Sequence, residues 1–275
     1  MHDDFHILRL GYHDRANLLP LLYPIKAGWA TLESPWQVEV ITAPPSVLFR
    51  QLLEGKLDAA FLPPAAVTAH GAQLATLGGW GLAGEGRIET AILLAPQRID
   101  LLDGGNVALS PDAHSSTAEH LLRVLLTPYY DTKLRLLSPG EPGYDPQGAR
   151  LLFSDDAARE SAGLARPWVA EDLGVAWFVL TGYPVVWEVL AVPRDLEGRK
   201  PGGSERLQAL LRLSQRTAQE QQAAIIAEGA SRLKMDTARV KELFNRQHYT
   251  LGETERKGLA YFLDLAAREG GMRET

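Results

Sequence analysis

The sequence predicts an α/β protein of two lobes connected by two crossing strands. Short apolar runs of strand length alternate with helix-patterned segments as far as residue 194, the pattern of strands covered by helices. The middle stretch, 96–188, reads as one inserted α/β lobe, which leaves 1–95 with 189–275 as the other. Strands at about 87–95 and 185–192 then join the lobes, and such a pair of connections frames a cleft that can close on a ligand. Periodicity alone leaves a single-sheet α/β domain open as the alternative.

"FHILRLGY" (5–12) opens the chain as a strand, and a helix starts near Asn17. "WQVEVITA" (36–43) is the second strand; Pro44-Pro45-Ser46 introduces an amphipathic helix to about Glu54, which Gly55 is placed to end. "LDAAFLPP" is a third strand stopped by two prolines. "RIETAILLAP" (87–96) and "NVALS" (106–110) are further strands. Ser116 and Glu119 fit a capping box ahead of "HLLRVLL". "ARLLFSDDAA" reads as strand then helix, and "DLGVAWFVLTGYPVVWEVLAV" as helix then strand. After Arg194, "DLEGRKPGG" is a connection and the rest is helical, with starts at Ser204 and Asp236 and a capping box at Thr250 and Glu253. This last third is expected to pack on the first lobe, with self-association into a homodimer as its alternative role.

Composition narrows the function. With 275 residues, 45% hydrophobic and 23% charged, the chain has the balance of a soluble globular enzyme. A net charge of −6 offers no global attraction for nucleic acid or anionic membrane, so an anionic substrate has to be held by local donors. Cysteine is absent, which excludes disulfides, thiolate zinc sites and a cysteine nucleophile. The seven histidines show no HExxH spacing, and no metal site is expected. The N-terminal "MHDDFHILRLGY" has no basic and apolar leader pattern, and no apolar run reaches the ~20 residues of a membrane helix. A cytoplasmic protein is the expectation.

Several polar residues stand where chemistry could be done. Asn17 lies between a strand end and a helix start; it reads either as a helix N-cap or as an amide that grips a substrate hydroxyl or carboxylate. Ser115, Ser116 and Thr117 form a hydroxyl cluster at a helix N-terminus, where unpaired N–H groups and the helix dipole favour a carboxylate. Ser116 is sufficiently explained as the cap. His114 adjoins this cluster, and His13, Asp14 and Arg15 precede Asn17 in its loop. Thr90 reads first as a β-branched strand residue. Trp168, Trp177 and Trp187 read as core before cleft. No Ser nucleophile elbow or Walker loop is present, and no Glu or His stands out as a buried general base.

The ordered motifs resemble the menaquinone-biosynthesis proteins of the futalosine pathway, in the chorismate dehydratase branch. The pattern G-x-x-x-x-x-N-x-x-P-L is met by Gly11, Asn17, Pro20 and Leu21. Pro45-Ser46 meets the P-S before a helix, and Gly55, Leu57 and Asp58 meet the G-x-L-D after it. Ser115 and Thr117 meet S-x-T. Asp172, Leu173, Gly174, Trp177, Thr181, Gly182 and Pro184 meet D-L-G-x-x-W-x-x-x-T-G-x-P. These matches cover about two thirds of the chain in order, and the set is more specific than any one piece. The S-P-C-P-N-D opening of the sister branch, which cleaves a later intermediate, is missing.

The resemblance implies a type II periplasmic-binding-protein-like fold, no cofactor, and chorismate as the small-molecule substrate. It implies catalytic roles for Asn17 and for Thr90, where the family has serine. Ser46, Ser115, Ser116, Thr117, His114 and His13 are the expected substrate contacts. Where the family has Ser or Thr and then an acid after the third strand, this chain has Pro63-Pro64 and Ala66. Contacts from that loop must be replaced, with His13 and His114 as candidates. A non-catalytic anion-binding or sensor protein of the same fold is the rival reading.

Overall fold

The computed structural model describes residues 6–102, 104–113, 116–126, 129–161 and 167–268, and its strands form two sheets. In chain order the strands are β1 (His6–Tyr12), β2 (Trp36–Thr42), β3 (Ala59–Leu62), β4 (Leu74–Gly84), β5 (Ala91–Ala95), β6 (Asn106–Leu109), β7 (Arg135–Leu137), β8 (Arg150–Phe153), β9 (Val169–Asp172), β10 (Val185–Pro193) and β11 (Gln247–Thr250). The helices are α1 (Leu19–Lys26), α2 (Pro45–Leu53), α3 (Pro64–Ala69), α4 (Thr117–Leu126), α5 (Asp155–Ser161), α6 (Leu173–Thr181), α7 (Leu196–Arg199), α8 (Gly203–Glu220), α9 (Gln222–Leu233), α10 (Thr237–Asn245) and α11 (Glu253–Arg268).

The first sheet has the order β11-β4-β10-β3-β1-β2 and the second β7-β6-β8-β5-β9. β1 runs parallel to β2 and β3, whereas β10 lies antiparallel between β3 and β4. All nine residues of β10 are buried, as expected for a central strand covered on both faces. The edge strand β2 instead alternates half-buried and exposed positions. The chain leaves the first sheet after β4, crosses through residues 85–90, builds the second sheet, and returns through α6 into β10.

Local chemistry sets the ends of these elements. α2 and α3 both begin with proline, whose missing N–H costs nothing at the first helical position. Pro63-Pro64 therefore ends β3 and also starts α3. Asp172 caps α6 by accepting from the N–H groups of Gly174 and Val175, and Gly182 at φ +73° ends it. Ser116 Oγ accepts from the Ala118 N–H at 3.1 Å, so it does cap α4. Thr250, by contrast, is the last residue of β11 and α11 starts at Glu253. The strand expected over 87–96 is confined to Ala91–Ala95.

β4 carries four glycines, at 78, 79, 81 and 84, because neighbouring chain approaches it closely. A Cβ on Gly81 would lie 2.5 Å from the Glu188 carbonyl oxygen of β10. Gly81→Ala is expected to force the two backbones apart and lower the unfolding free energy by about 1–3 kcal/mol, measured by urea denaturation.

The C-terminal helices reach further than the first lobe. Ile225, Ile226 and Leu233 of α9 with Val240 and Leu243 of α10 share one apolar cluster with Ala16, Leu19 and also Ala158 of α5 beside the second sheet. Arg232 of α9 adds polar ties, donating to Asp155 Oδ2 at 2.6 Å and to Asp14 Oδ1 at 3.0 Å. The crossing segment is fixed in the same way. Glu89, at φ +52°, donates its N–H to Asp172 Oδ2 at 3.0 Å and accepts Arg239 Nη2 of α10 on both carboxylate oxygens. Among the described residues no helix is long and apolar enough to cross a membrane.

Candidate active site between the two sheets

The loop between β1 and α1 lies where both sheets and the C-terminal helices meet. Its first polar feature is Arg15, whose side chain is 2% exposed and donates through Nη1 to Glu188 Oε1 of β10 at 3.2 Å. The guanidinium lies over the Phe153 ring at the end of β8, 4.5 Å from its centroid. The next residue, Ala16, donates its N–H to Asp155 Oδ1 at 2.8 Å, which ties the loop to the start of α5. Asn17 is held by its backbone, since the Tyr249 hydroxyl of β11 donates to its carbonyl at 2.8 Å.

Asn17 caps nothing. It sits inside a single 3₁₀ turn, Ala16–Leu18, and α1 starts after it with Leu18 as a cap residue that makes no side-chain bond. Its amide is buried, and Oδ1 has no partner among the described residues. Asn17 and Thr90 line one small cavity with Ala16, Ser154, Asp155 and Gln247. Its volume is about 20 Å³, room for roughly one water. Thr90 is buried there, with only a long 3.5 Å contact from its hydroxyl to the Ile88 carbonyl.

Unsatisfied polar atoms are concentrated at this place. Eight buried side-chain N and O atoms lack a hydrogen-bond partner among the described residues, and five of them belong to the β1–α1 loop or to the acid paired with it. These five are His13 Nδ1, Arg15 Nε and Nη2, Asn17 Oδ1 and Glu188 Oε2. Buried polar groups are nearly always paired, because an unpaired one costs about 1–3 kcal/mol. A cluster mixing donors with acceptors marks a place built for a polar ligand.

A family model for menaquinone biosynthesis matches residues 8–268. The chain belongs to the menaquinone-biosynthesis family. Similar solved structures include the AF1704 protein of Archaeoglobus fulgidus, with a TM-score of 0.76 and 17% identity over 98% of this chain and 99% of that one. The periplasmic aliphatic sulphonate binding protein SsuA of Escherichia coli gives 0.63 and 16%, over 96% and 87%. The Candida albicans CA3427 product, described as having the generic periplasmic binding protein fold, gives 0.60 and 12%, over 98% and 95%. These likenesses establish the two-lobed periplasmic-binding-protein architecture.

In this menaquinone-biosynthesis protein the expected site residues fall into three groups. Asn17, Thr90 and His13 lie in or beside the cluster of unpartnered atoms. Ser116 and Thr117 are near it but committed: the Ser116 hydroxyl donates to the Ala113 carbonyl at 2.6 Å, and the Thr117 hydroxyl to the Trp187 carbonyl at 2.6 Å. Neither hydroxyl proton is left for a substrate carboxylate. Ser46 is exposed in the first turn of α2 and does not line the cavity. His114 and Ser115 lie outside the described residues. Trp177 and Trp187 are fully buried core, and the Trp187 indole N–H has no partner among the described residues.

Two residues of the site carried little signal before. Glu188 is the sole charge in the apolar run "VVWEVLAVP", and a lone acid in a central strand is the mark that could have found it. Arg15 was one of three loop polar residues with nothing to set it apart. Burial pushes the Glu188 carboxyl up, and the Arg15 charge beside it pulls it back.

His13 is lowered to about 4, first by burial and then by the Arg15 charge. The folded protein therefore refuses a proton that unfolded His13 accepts near pH 6.5. The stabilising effect of neutral His13 is complete above about pH 6.5 and is lost as pH falls toward 4. Denaturant unfolding at pH 7 and pH 4.5 is expected to show a larger acid loss for wild type than for His13→Gln.

Proposed function

We propose that the protein dehydrates chorismate to 3-[(1-carboxyvinyl)oxy]benzoate, a hydro-lyase step of menaquinone biosynthesis by the futalosine route. One observation supports this most: Asn17 and Thr90, the positions that the resemblance marks as catalytic, line one small cavity, and Asn17 Oδ1 is buried without a partner among the described residues. Chorismate suits such a site, because its two carboxylates accept and its C4 hydroxyl can donate.

The reaction removes the C3 proton and breaks the C4–O bond, and the hydroxyl leaves with a proton as water. The ring becomes aromatic, which supplies the driving force without any change of oxidation state. Donors aimed at the ring carboxylate stabilise the charge that develops as the C3–H bond breaks. The acids around the site are already engaged: Glu188 with Arg15, Asp155 with Arg232 and the Ala16 N–H. The enolpyruvyl carboxylate of the substrate is then the proton acceptor, held against C3 by closure of the lobes. Asn17 and Thr90 orient that side chain and the departing hydroxyl. The cavity beside them admits roughly one water, so a ring must enter with the lobes apart and react with them closed.

Incubating the purified protein with chorismate and following aromatic absorbance tests the reading. Turnover supports it. Saturable binding without turnover leaves an anion-binding protein of the same fold.

A further inference from the structure

We propose that Arg15 anchors a carboxylate of the ligand through its Nε–Nη2 edge, and that Glu188 sets how strongly it does so. The inference rests on the dehydratase reading only for the ligand's identity, where it assigns one of chorismate's two carboxylates to a residue outside the family motifs matched above.

Geometry carries the argument. A guanidinium offers Nε–H and one Nη2–H in parallel, the fork that takes a carboxylate with two hydrogen bonds. Glu188 is bonded to the other nitrogen, Nη1, at 3.2 Å and leaves that fork open. Both fork atoms are buried and unpartnered among the described residues. Asp112, on the loop between β6 and α4, is the nearest acid on this side. Its Oδ2 is 3.9 Å from Nε, beyond hydrogen-bond reach, and its side chain is 36% exposed. Stacking on Phe153 holds the guanidinium plane, so the fork is pre-organised. A carboxylate in the fork would thus sit where Phe153 of the second sheet and Glu188 of the first both meet Arg15.

Glu188 has a second consequence. As the buried counter-charge of Arg15 it repels an arriving anion, so its neutral isostere is expected to tighten binding. A purely structural ion pair predicts no such gain.

The test is a tryptophan-fluorescence titration with isophthalate, an unreactive aromatic dicarboxylate, and with isophthalamide as its uncharged counterpart. Glu188→Gln is expected to lower the isophthalate Kd about tenfold, with a steeper salt dependence and no change for isophthalamide. Arg15→Gln is expected to raise the isophthalate Kd about tenfold or more and remove the preference for charge. Because Arg15→Gln leaves Glu188 unpaired and buried, the Arg15→Gln/Glu188→Gln double variant serves as the neutral control with the same expected loss. The proposal is overturned by an unchanged or weaker isophthalate Kd in Glu188→Gln, by a charge preference that survives in the double variant, or by no isophthalate binding to wild type. Charge-dependent binding without chorismate turnover would keep the anchor and reject the dehydratase reading. Turnover with a KM indifferent to Arg15 would do the reverse.

Discussion

Replacing Asn17 with alanine is expected to lower kcat for chorismate by about 10²-fold or more while leaving the thermal midpoint close to wild type. The two effects separate because the residue works through different atoms. Its carbonyl accepts the Tyr249 hydroxyl and is kept by alanine. Its amide Oδ1 is buried without a partner among the described residues, so little native bonding is lost with the side chain. The amide matters once a substrate hydroxyl or carboxylate fills the cavity it shares with Thr90. Stopped assays at saturating chorismate check the rate, and a calorimetric scan checks the fold. A near-wild-type rate removes Asn17 from the mechanism. A comparable collapse in His13→Ala would instead make His13 a conventional base.

The largest expected effect on stability comes from the pair between the lobes' strands and loop. Glu188→Leu leaves the Arg15 guanidinium, 2% exposed, without its carboxylate. Removing one partner of a buried pair typically lowers unfolding free energy by about 3–5 kcal/mol, whereas replacing both with apolar groups of similar volume is often neutral. Urea denaturation is expected to show that loss for Glu188→Leu and most of it regained in Arg15→Met/Glu188→Leu. Equal losses in the single and double variants would show that packing rather than charge governs the position.

The elements with strong periodicity were legible in the sequence. β1, β2 and α2 fall close to their expected bounds, because alternation, an N-terminal proline and a terminal glycine point the same way. β4 was not legible. Its glycines at 78, 79, 81 and 84 erase the side-chain pattern; Gly79 and Gly81 face the segment around Leu251 and β10, Gly78 faces Gln208 of α8 and Gly84 faces Ile88, tertiary demands that a local window does not contain. The short edge strands β7, β9 and β11 have three or four residues each, too few to show a period. α3 was hidden by reading Pro63-Pro64 only as a stop.

The site was legible where it overlaps the motifs. Asn17 was found as a polar residue at a strand-to-helix junction, although the structure replaces its capping alternative with a 3₁₀ turn and an unpaired amide. Thr117 looked like a carboxylate donor by position, yet its hydroxyl is spent on the Trp187 carbonyl, a partner 70 residues away. Glu188 and Arg15 are 173 residues apart, and only the fold brings them together.

The proposed reaction is a dehydration, and the proton NMR spectrum of chorismate after incubation with the protein distinguishes it from other outcomes. New aromatic ring signals are expected with the two vinyl protons of the enolpyruvyl group intact, so that one water is lost and nothing else. An aromatic product that has lost the vinyl signals, with free pyruvate in solution, would mean that the ether bond is cleaved instead. That result, or unchanged chorismate, would rule the dehydration out.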